Sequence, residues 1–453
     1  MNDTPSTEQQ LNTISEFRQA LYRLAFTARR DALFEVLDAL LLRAPVASFP
    51  LLSLSLFTQR QWPSFYAAVE DGQMDTTWLS SFLARQVPSQ GVQVLSLDST
   101  AWPRPQSCSL PDRQYVYHPT GAVNGKPVVI GYPYSLLDWV PFRNQSWSLS
   151  VDVARVPSTQ TAVERGVEQV RGLAQARQNC HEALDIIAAD AKYGNHKFFG
   201  LLQGQRCGLV AALRRDQVLY RQPSPEEQPT RGRKKKHGRR FAFKDPDTWG
   251  EPDEVMALED ERWGKVELRR WHNLHEKSAA DVPLDVVQAR VHLEREKPPP
   301  SFWLAWQAPP VIPAPIQITA QLIWTAYQYR WPIEPGIRFR KQNLMWTVPR
   351  FQTPETGDRW AVLVSLAMWI LFLGREVVTD RPLPWERAQS QRTPGRVQRG
   401  MGELFCKIGS PVRPVKTRGN APGWPQGKVR QRQPRHAVVK KVPSKAQQTA
   451  KAA

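Results

Sequence analysis

Two aspartates stand where chemistry could begin. VQVLSLD (Val92 to Asp98) is an apolar run closed by a carboxylate, and LDIIAAD (Leu184 to Asp190) is a second. Each reads as a β-strand, and residues at the carboxyl ends of strands in an α/β sheet face the functional crevice. Two carboxylates held together there repel unless a cation sits between them. Hard divalent cations take oxygen ligands, and Mg²⁺ commonly uses one or two carboxylates plus substrate phosphates. Two such ions can clamp the attacking and leaving oxygens of a phosphoryl transfer. A lone Asp at a strand end is commonly just a turn or cap residue, so the pair needs a third element.

That element is AYQYRWPIEPGIRFRKQN, which places Tyr327, Arg330, Glu334 and Lys341 at the spacing Tyr-x2-Arg-x3-Glu-x6-Lys. At about 100° per residue, an α-helix brings the four within roughly 60° of one another. One face then offers a carboxylate for a metal, a guanidinium that forks onto phosphate oxygens, an ammonium and a hydroxyl. Pro332 and Pro335 limit this geometry, because neither fits mid-helix. A helix starting near Pro332 accommodates both in its first turn and leaves Tyr327 and Arg330 at the end of the preceding segment. Asp152, inside a strand, and Asp185, five residues before Asp190, are not placed to join the site. His272 and His275 lack a third soft ligand for zinc. Trp249, Trp263, Trp271, Trp303 and Trp306 could stack on bases, but tryptophans of this kind are more commonly core.

The elements that must position these groups follow from hydropathy. Ser6 with Gln9 fits a capping box, and Leu11, Ile14, Phe17, Leu21 and Leu24 recur at helical spacing, as do Leu33, Val36, Leu37, Leu40 and Leu41. A third helix enters through Asp75. Residues 1–88 therefore read as a helical domain, a candidate for DNA binding. From residue 89 to 215 the order is three strands, helix, strand, helix, strand, that of a ribonuclease H-like α/β domain. Residues 216–312 interrupt it with the basic loop RGRKKKHGRR (Arg231 to Arg240) and the β-like stretches WGKVELRRWHNL, VVQARVHL and FWLAW, an inserted β-rich subdomain. Helical periodicity returns over 313–380 and completes the α/β domain.

The chain carries 61 Lys+Arg against 42 Asp+Glu, a net +19. A polyanionic partner is implied, nucleic acid first. Residues 381–453 hold 17 of the cations and 2 of the acids, and so +15 of the total. That tail is rich in Pro, Gly and Gln with few apolar clusters, so it is expected to be unfolded. It is also expected to bind DNA without sequence preference and to be dispensable for folding in a chain ending near Asp380. Four scattered cysteines argue against a disulfide framework and fit a reducing compartment. MNDTPSTEQQ lacks the pattern of a signal peptide. The apolar run Trp360 to Gly374 is shorter than the ~20 residues of a membrane span and reads as a buried helix.

The spacing of Tyr327, Arg330, Glu334 and Lys341 resembles the C-terminal signature of bacterial insertion-sequence transposases of the DDE class. LSLDST and IAADAKYGN resemble that group's two aspartate motifs. Glu334 lies 144 residues after Asp190, as in members with a β-rich insertion there. The resemblance covers about residues 90 to 375. It implies a catalytic and metal-binding triad of Asp98, Asp190 and Glu334, with two Mg²⁺ ions and Mn²⁺ able to substitute. It also implies that Tyr327, Arg330 and Lys341 hold a DNA phosphate. The expected activity is cleavage of double-stranded DNA at terminal inverted repeats and strand transfer into target DNA. The expected assembly is a homodimer on DNA in the bacterial cytoplasm, associated with the nucleoid and not with a membrane. Two other readings stay open: a transposase-derived DNA-binding protein without catalysis, and a ribonuclease H-like nuclease.

Overall fold

A computed structural model describes residues 6–42, 48–121, 123–292, 301–389, 391–416, 427, 429 and 432–441. The N-terminal region is helical: α1 Thr7–Ala20, α2 Arg30–Leu41, α3 Trp62–Asp71 and α4 Thr76–Gln86. Helix α1 opens on the Ser6–Gln9 capping box, and Asp75 caps α4 by accepting from the Trp78 backbone N–H. These helices have no separate core. Ile14, Phe17, Leu33 and Leu37 belong to the same apolar cluster as Trp360 and Leu366 of the long C-terminal helix, and the rings of Phe17 and Trp369 stack at 6.3 Å.

Strands β1 Gln90–Pro103, β2 Gln114–Tyr117, β3 Val128–Trp139 and β4 Leu149–Arg155 come next. They are followed by α5 Ala162–Ala176, β5 Glu182–Ala189, α6 His196–Leu201 and β6 Gly208–Ala212. In space β4 pairs β3, β3 pairs β1, both antiparallel, and β1, β5 and β6 are parallel neighbours. This mixed sheet with helices fits a ribonuclease H-like type. The apolar runs explain the parallel trio: Ile186, Ile187, Ala188 and Ala189 are all buried, as strands covered on both faces require.

The strands of the expected insertion do not form a sheet of their own. They are β7 Val218–Arg221, β8 Arg240–Ala242, β9 Glu254–Asp260, β10 Gly264–Glu276, β11 Ala279–His292 and β12 Phe302–Gln307. Strand β12 pairs antiparallel with β6, so one twelve-stranded sheet runs through both regions. Trp249, Trp271, Trp303 and Trp306 are buried, and the first three pack with Phe241 in a ring cluster. They are core residues.

Helices α7 Ala320–Gln328, α8 Ile333–Gln342 and α9 Pro354–Gly374 complete the body. Helix α9 is 21 residues long because Thr353 caps it seven residues before the apolar run begins. It is long and apolar enough to cross a membrane, but 78% of its apolar window is buried inside the protein.

The expectation of an unfolded tail from residue 381 is corrected in two places. Pro394–Ile408 forms an amphipathic helix, α10, which buries Val397, Met401, Leu404 and Phe405. Its polar side is neutralised: Arg396, Arg399 and Lys407 pair with Asp380, Glu386 and Glu403, and Arg381, from the preceding segment, also pairs with Glu403. Residues 432–441 lie along the body as well, with the Val439 N–H donating to Arg113 O at 2.8 Å and the His436 N–H to Cys108 O at 2.9 Å. Residues 417–426 and 442–453 of the expected tail fall outside the described residues.

Candidate active site at the ends of the parallel strands

Asp98 and Asp190 are brought together by strand register. The parallel pairing of β1 with β5 ends at Leu97 opposite Ala189, so the next residue on each side is an aspartate. One detail of the sequence reading changes. Asp98 does not end its strand, because β1 continues to Pro103 against β3. It sits where β1 loses its parallel neighbour and the sheet opens. Among the described residues, two features that the sequence pattern left unread tighten this corner. The Asp98 carboxylate accepts from the Ser99 N–H at 2.6 Å, and Asp190 accepts from the Lys192 N–H at 3.0 Å. The Lys192 ammonium then crosses between strands to donate to Ser99 Oγ at 2.7 Å.

The residues of IAADAKYGN shape the loop as well as supplying Asp190. Asn195 caps α6 by accepting from the N–H groups of Lys197 and Phe198. Gly194 lies so close to β6 that a Cβ would come within 2.0 Å of Ala212 O. Only glycine fits that approach.

The third element is split as its prolines require. Helix α7 ends at Gln328 and α8 starts after Pro332, with Pro335 in its first turn. Tyr327 is therefore in the last turn of α7, Arg330 in the connection, and Glu334 and Lys341 on α8. A single helical face does not carry all four. Arg330 still links the helix pair to Asp98: its Nη1 stands 3.9 Å from Asp98 Oδ2 and its Nη2 stands 2.9 Å from Glu334 Oε1. The Lys341 ammonium donates to Thr100 Oγ1 at 2.7 Å and Ala101 O at 2.9 Å, two and three residues past Asp98. Tyr327 is buried, which raises its phenol pKa, while the Arg330 charge opposes that shift.

Electrostatics set the character of the corner. Burial, and then the Asp190 charge, push the Asp98 carboxyl up to about 6, with Glu334 adding a smaller push. That is the penalty of carboxylates crowded into a partly dry site, which Arg330 and the Ser99 N–H only partly offset. Burial pushes the Lys341 ammonium down to about 8, with Asp98 partly restoring it. The donor set of Asp98 and Asp190, all hard oxygens under mutual repulsion, fits a hard divalent cation. Glu334 is the exception: it is half exposed and paired with Arg330. Among the described residues no three His, Cys, Asp or Glu side chains gather closely enough to hold one ion.

Helix α8 is fastened by a buried ion pair that the sequence does not advertise. Arg340 Nη2 lies 2.8 Å from Asp138 Oδ2, both side chains fully buried, and donates to Ser148 O at 2.7 Å. Ser150 Oγ donates to the same aspartate at 2.6 Å. Gly336 permits the approach, since a Cβ there would meet Ser148 Oγ at 2.0 Å. Arg340→Met should leave Asp138 buried and unpaired, at a cost of about 3–5 kcal/mol. The denaturant midpoint should fall clearly, and Asp138→Leu added to it should recover part of the loss. An unchanged midpoint for Arg340→Met would mean the pair does not hold α8.

A cleft of 480 Å³ opens beside Glu334, lined by Arg143, Asn144, Arg262, Trp331 and Arg338 among others. Arg262 lies over the Trp331 ring at 4.4 Å. A larger cleft of 870 Å³ between α4, β4 and α9 contains neither Asp98 nor Asp190. Volume alone therefore does not mark the site, and the carboxylate pair and converging cations do.

Residues 19–275 match the family model of the DDE superfamily endonucleases. The chain belongs to that superfamily. The matched span is more than half of the chain and contains Asp98 and Asp190, but it stops before Tyr327, Arg330, Glu334 and Lys341. No curated protein matches the chain. Among solved structures, this DDE superfamily chain is similar to piggyBac transposase in its synaptic complex with hairpin DNA. The identity is 13% and the TM-score 0.37, over 93% of this chain and 84% of that one.

Proposed function

We propose that the chain is a transposase: it cuts double-stranded DNA at the terminal inverted repeats of a mobile element and joins the freed strand to target DNA. The observation that carries this reading is the register that sets Asp98 beside Asp190 with Arg330 and Lys341 converging on them, in a chain of an endonuclease superfamily. Asp98, Asp190 and Glu334 are the proposed ligands of two Mg²⁺ ions, which Mn²⁺ can replace. Bound there, the metal supplies Lewis acidity and an activated oxygen nucleophile. Glu334 joins the aspartates when Arg330 turns from it to a phosphate. Arg330 then forks onto the scissile phosphate, Lys341 adds charge from the Thr100–Ala101 side, and Tyr327 offers the phosphate its hydroxyl. The division into 1–88, 89–215, 216–312 and 313–380, with α10 added to the body, and a homodimer on DNA, are parts of the same proposal.

A second reading, a DNA-binding protein without catalysis, draws on one observation: Glu334 faces Arg330 and not the aspartates. The two are separated by incubating the full chain and Mg²⁺ with a plasmid carrying the element's own ends. Nicking at those ends, followed by strand joining, is expected. Binding without nicking in either Mg²⁺ or Mn²⁺ would favour the second reading.

The position of Lys341 gives a pH prediction. Free lysine loses its proton near ~10.4, whereas Lys341 is held at about 8. Its charge is thus present at pH 7 and is lost as pH rises through 8. Affinity for end DNA should fall several-fold between about pH 7 and pH 9, a range in which free lysines stay charged, although burial lowers Lys192 in the same corner too. Lys341→Arg should flatten that profile because a guanidinium keeps its proton. The same decline in Lys341→Arg would assign it to another group.

A further inference from the structure

The basic loop Arg231–Arg240 is not part of the site described above, yet it is built as carefully. It connects β7 to β8 and carries seven cations, Arg231, Arg233, Lys234, Lys235, Lys236, Arg239 and Arg240, with no acid among them. All seven are exposed. Among the described residues none of them is in an ion pair, in contrast to the cations of α10. A run of like charges usually stays loose in solvent. This one is held at three points. At its base, the Gly238 and Arg221 N–H groups donate to Arg221 O and Arg239 O, both at 2.9 Å. In the middle, the Gln228 side chain makes two bonds with the Lys235 backbone, at 3.0 and 3.1 Å. At the end, His237 Nδ1 meets Nε2 of the fully buried His275 at 2.9 Å, and the two rings stack 5.2 Å apart. Burial, and then His237, lower the His275 pKa, which keeps one ring neutral to share the hydrogen bond.

The anchor also leads back to the aspartates. Glu276, next to His275, accepts from Gln217 at 3.2 Å and lies 3.1 Å from His196 Nδ1. His196 is six residues after Asp190, within ~20 Å along even an extended chain. The anchor is thus tied through Glu276 to the amino end of α6, the helix that follows Asp190.

We propose that the loop Arg231–Arg240 is a docking surface for the phosphate backbone of duplex DNA. The inference rests on the reading of this chain as a DNA-cutting enzyme and adds where it holds its substrate. The chemistry favours duplex over single strands. The segment has no Phe, Tyr or Trp between residues 221 and 240, whereas single-strand binding uses aromatic platforms for unstacked bases. Closely spaced cations suit duplex DNA, which carries one charge per ~1.7 Å of axis. Pre-ordering by Gln228 and His275 lowers the entropy lost when the loop takes up phosphates. Contacts of this kind position a duplex without reading its sequence.

The test uses the full chain and a short random-sequence duplex in metal-free buffer with EDTA, so that no cleavage is required. One variant carries Arg233→Gln, Lys234→Gln, Lys235→Gln and Lys236→Gln together. Its affinity should drop tenfold or more at physiological salt. Its log–log salt slope should become shallower by up to about 3.6, four contacts at ~0.9 each. His237→Ala keeps all seven charges and releases the anchor; it should lose affinity several-fold with little change in slope. Melting profiles should match wild type for the Gln variant because its four sites are exposed. Unchanged affinity and slope in the Gln variant would overturn the proposal. An equal or larger loss on duplex RNA than on duplex DNA would also overturn it, by assigning the surface to RNA. The catalytic reading fails separately: wild type that binds but never nicks would sink that reading and leave this surface standing.

Discussion

Asp98→Ala and Asp190→Ala should each reduce nicking of end-containing DNA by at least about 10³-fold, a loss of ~4 kcal/mol or more in transition-state stabilisation. The reason is local. The two carboxylates are neighbours in register, and burial together with the Asp190 charge holds Asp98 near 6. Removing either relieves that repulsion and deletes half of the best-placed hard-oxygen donor set. Duplex affinity in metal-free buffer should stay level or rise, because a negative charge leaves a phosphate-binding surface. The folded state should not suffer, since deleting one of two repelling carboxylates removes an unfavourable interaction. Glu334→Ala is expected to be as severe only if Glu334 swings from Arg330 to the metal. A mild effect at Glu334 alone would restrict the site to the aspartate pair. Near wild-type nicking by either aspartate variant would remove that residue from the chemistry.

The second large effect concerns folding. A chain ending at Asp380 should fail to yield soluble, cooperatively folding protein, whereas one ending at Lys416 should fold. Helix α10 buries Val397, Met401, Leu404 and Phe405 against the body. At ~1.5–3 kcal/mol for each buried apolar side chain, the four contribute about 6–12 kcal/mol. That matches the whole stability of a typical domain, ~5–15 kcal/mol. Polar ties are lost too. Arg18, paired with Asp38 at 2.7 Å, donates to Gly409 O and packs over the Phe405 ring at 4.3 Å. Ser410 Oγ donates to Asp38 at 2.7 Å, and the Trp147 indole N–H donates to Arg392 O at 2.9 Å. Ending at Lys416 keeps all of these. It removes residues 432–441, mostly exposed themselves, with their bonds to Cys108 and to the buried Arg113, a smaller apolar loss that should matter much less. A cooperative melt for the chain ending at Asp380, close to that of the full chain, would show that α10 is an accessory.

Much of the site was legible because its residues obey strong local rules. Apolar runs such as VQVLSLD and LDIIAAD can hardly be anything but covered strands, and a shared ending puts their aspartates at one level. Pro332 and Pro335 fixed where α8 begins, because neither tolerates an interior position. Tertiary pairing was less legible. Asp185 could be set aside by its distance from Asp190, but that it neutralises the buried Arg177 at 2.8 Å needs three dimensions. Arg340 resembles any other cation of IRFRKQN until Asp138, some two hundred residues earlier, lies beneath it. Lys192 reaches Ser99 only because β1 and β5 are adjacent. The tail misled for a compositional reason: Val397, Met401, Leu404 and Phe405 are diluted among Arg, Gly and Pro. A helical-period count over residues 394–408 separates that apolar stripe from the charge.

The most direct measurement of the central claim exchanges the donor atom at the metal. Asp98→Cys and Asp190→Cys each replace a hard oxygen by a thiolate, which binds Mg²⁺ poorly and softer divalent ions better. Nicking of end-containing DNA by each variant should be absent in Mg²⁺ and partly restored in Mn²⁺, while wild type nicks in both. Nicking at the wild-type rate in Mg²⁺, or no restoration in Mn²⁺ by a variant that still folds and binds DNA, would contradict the assignment of these aspartates as metal ligands.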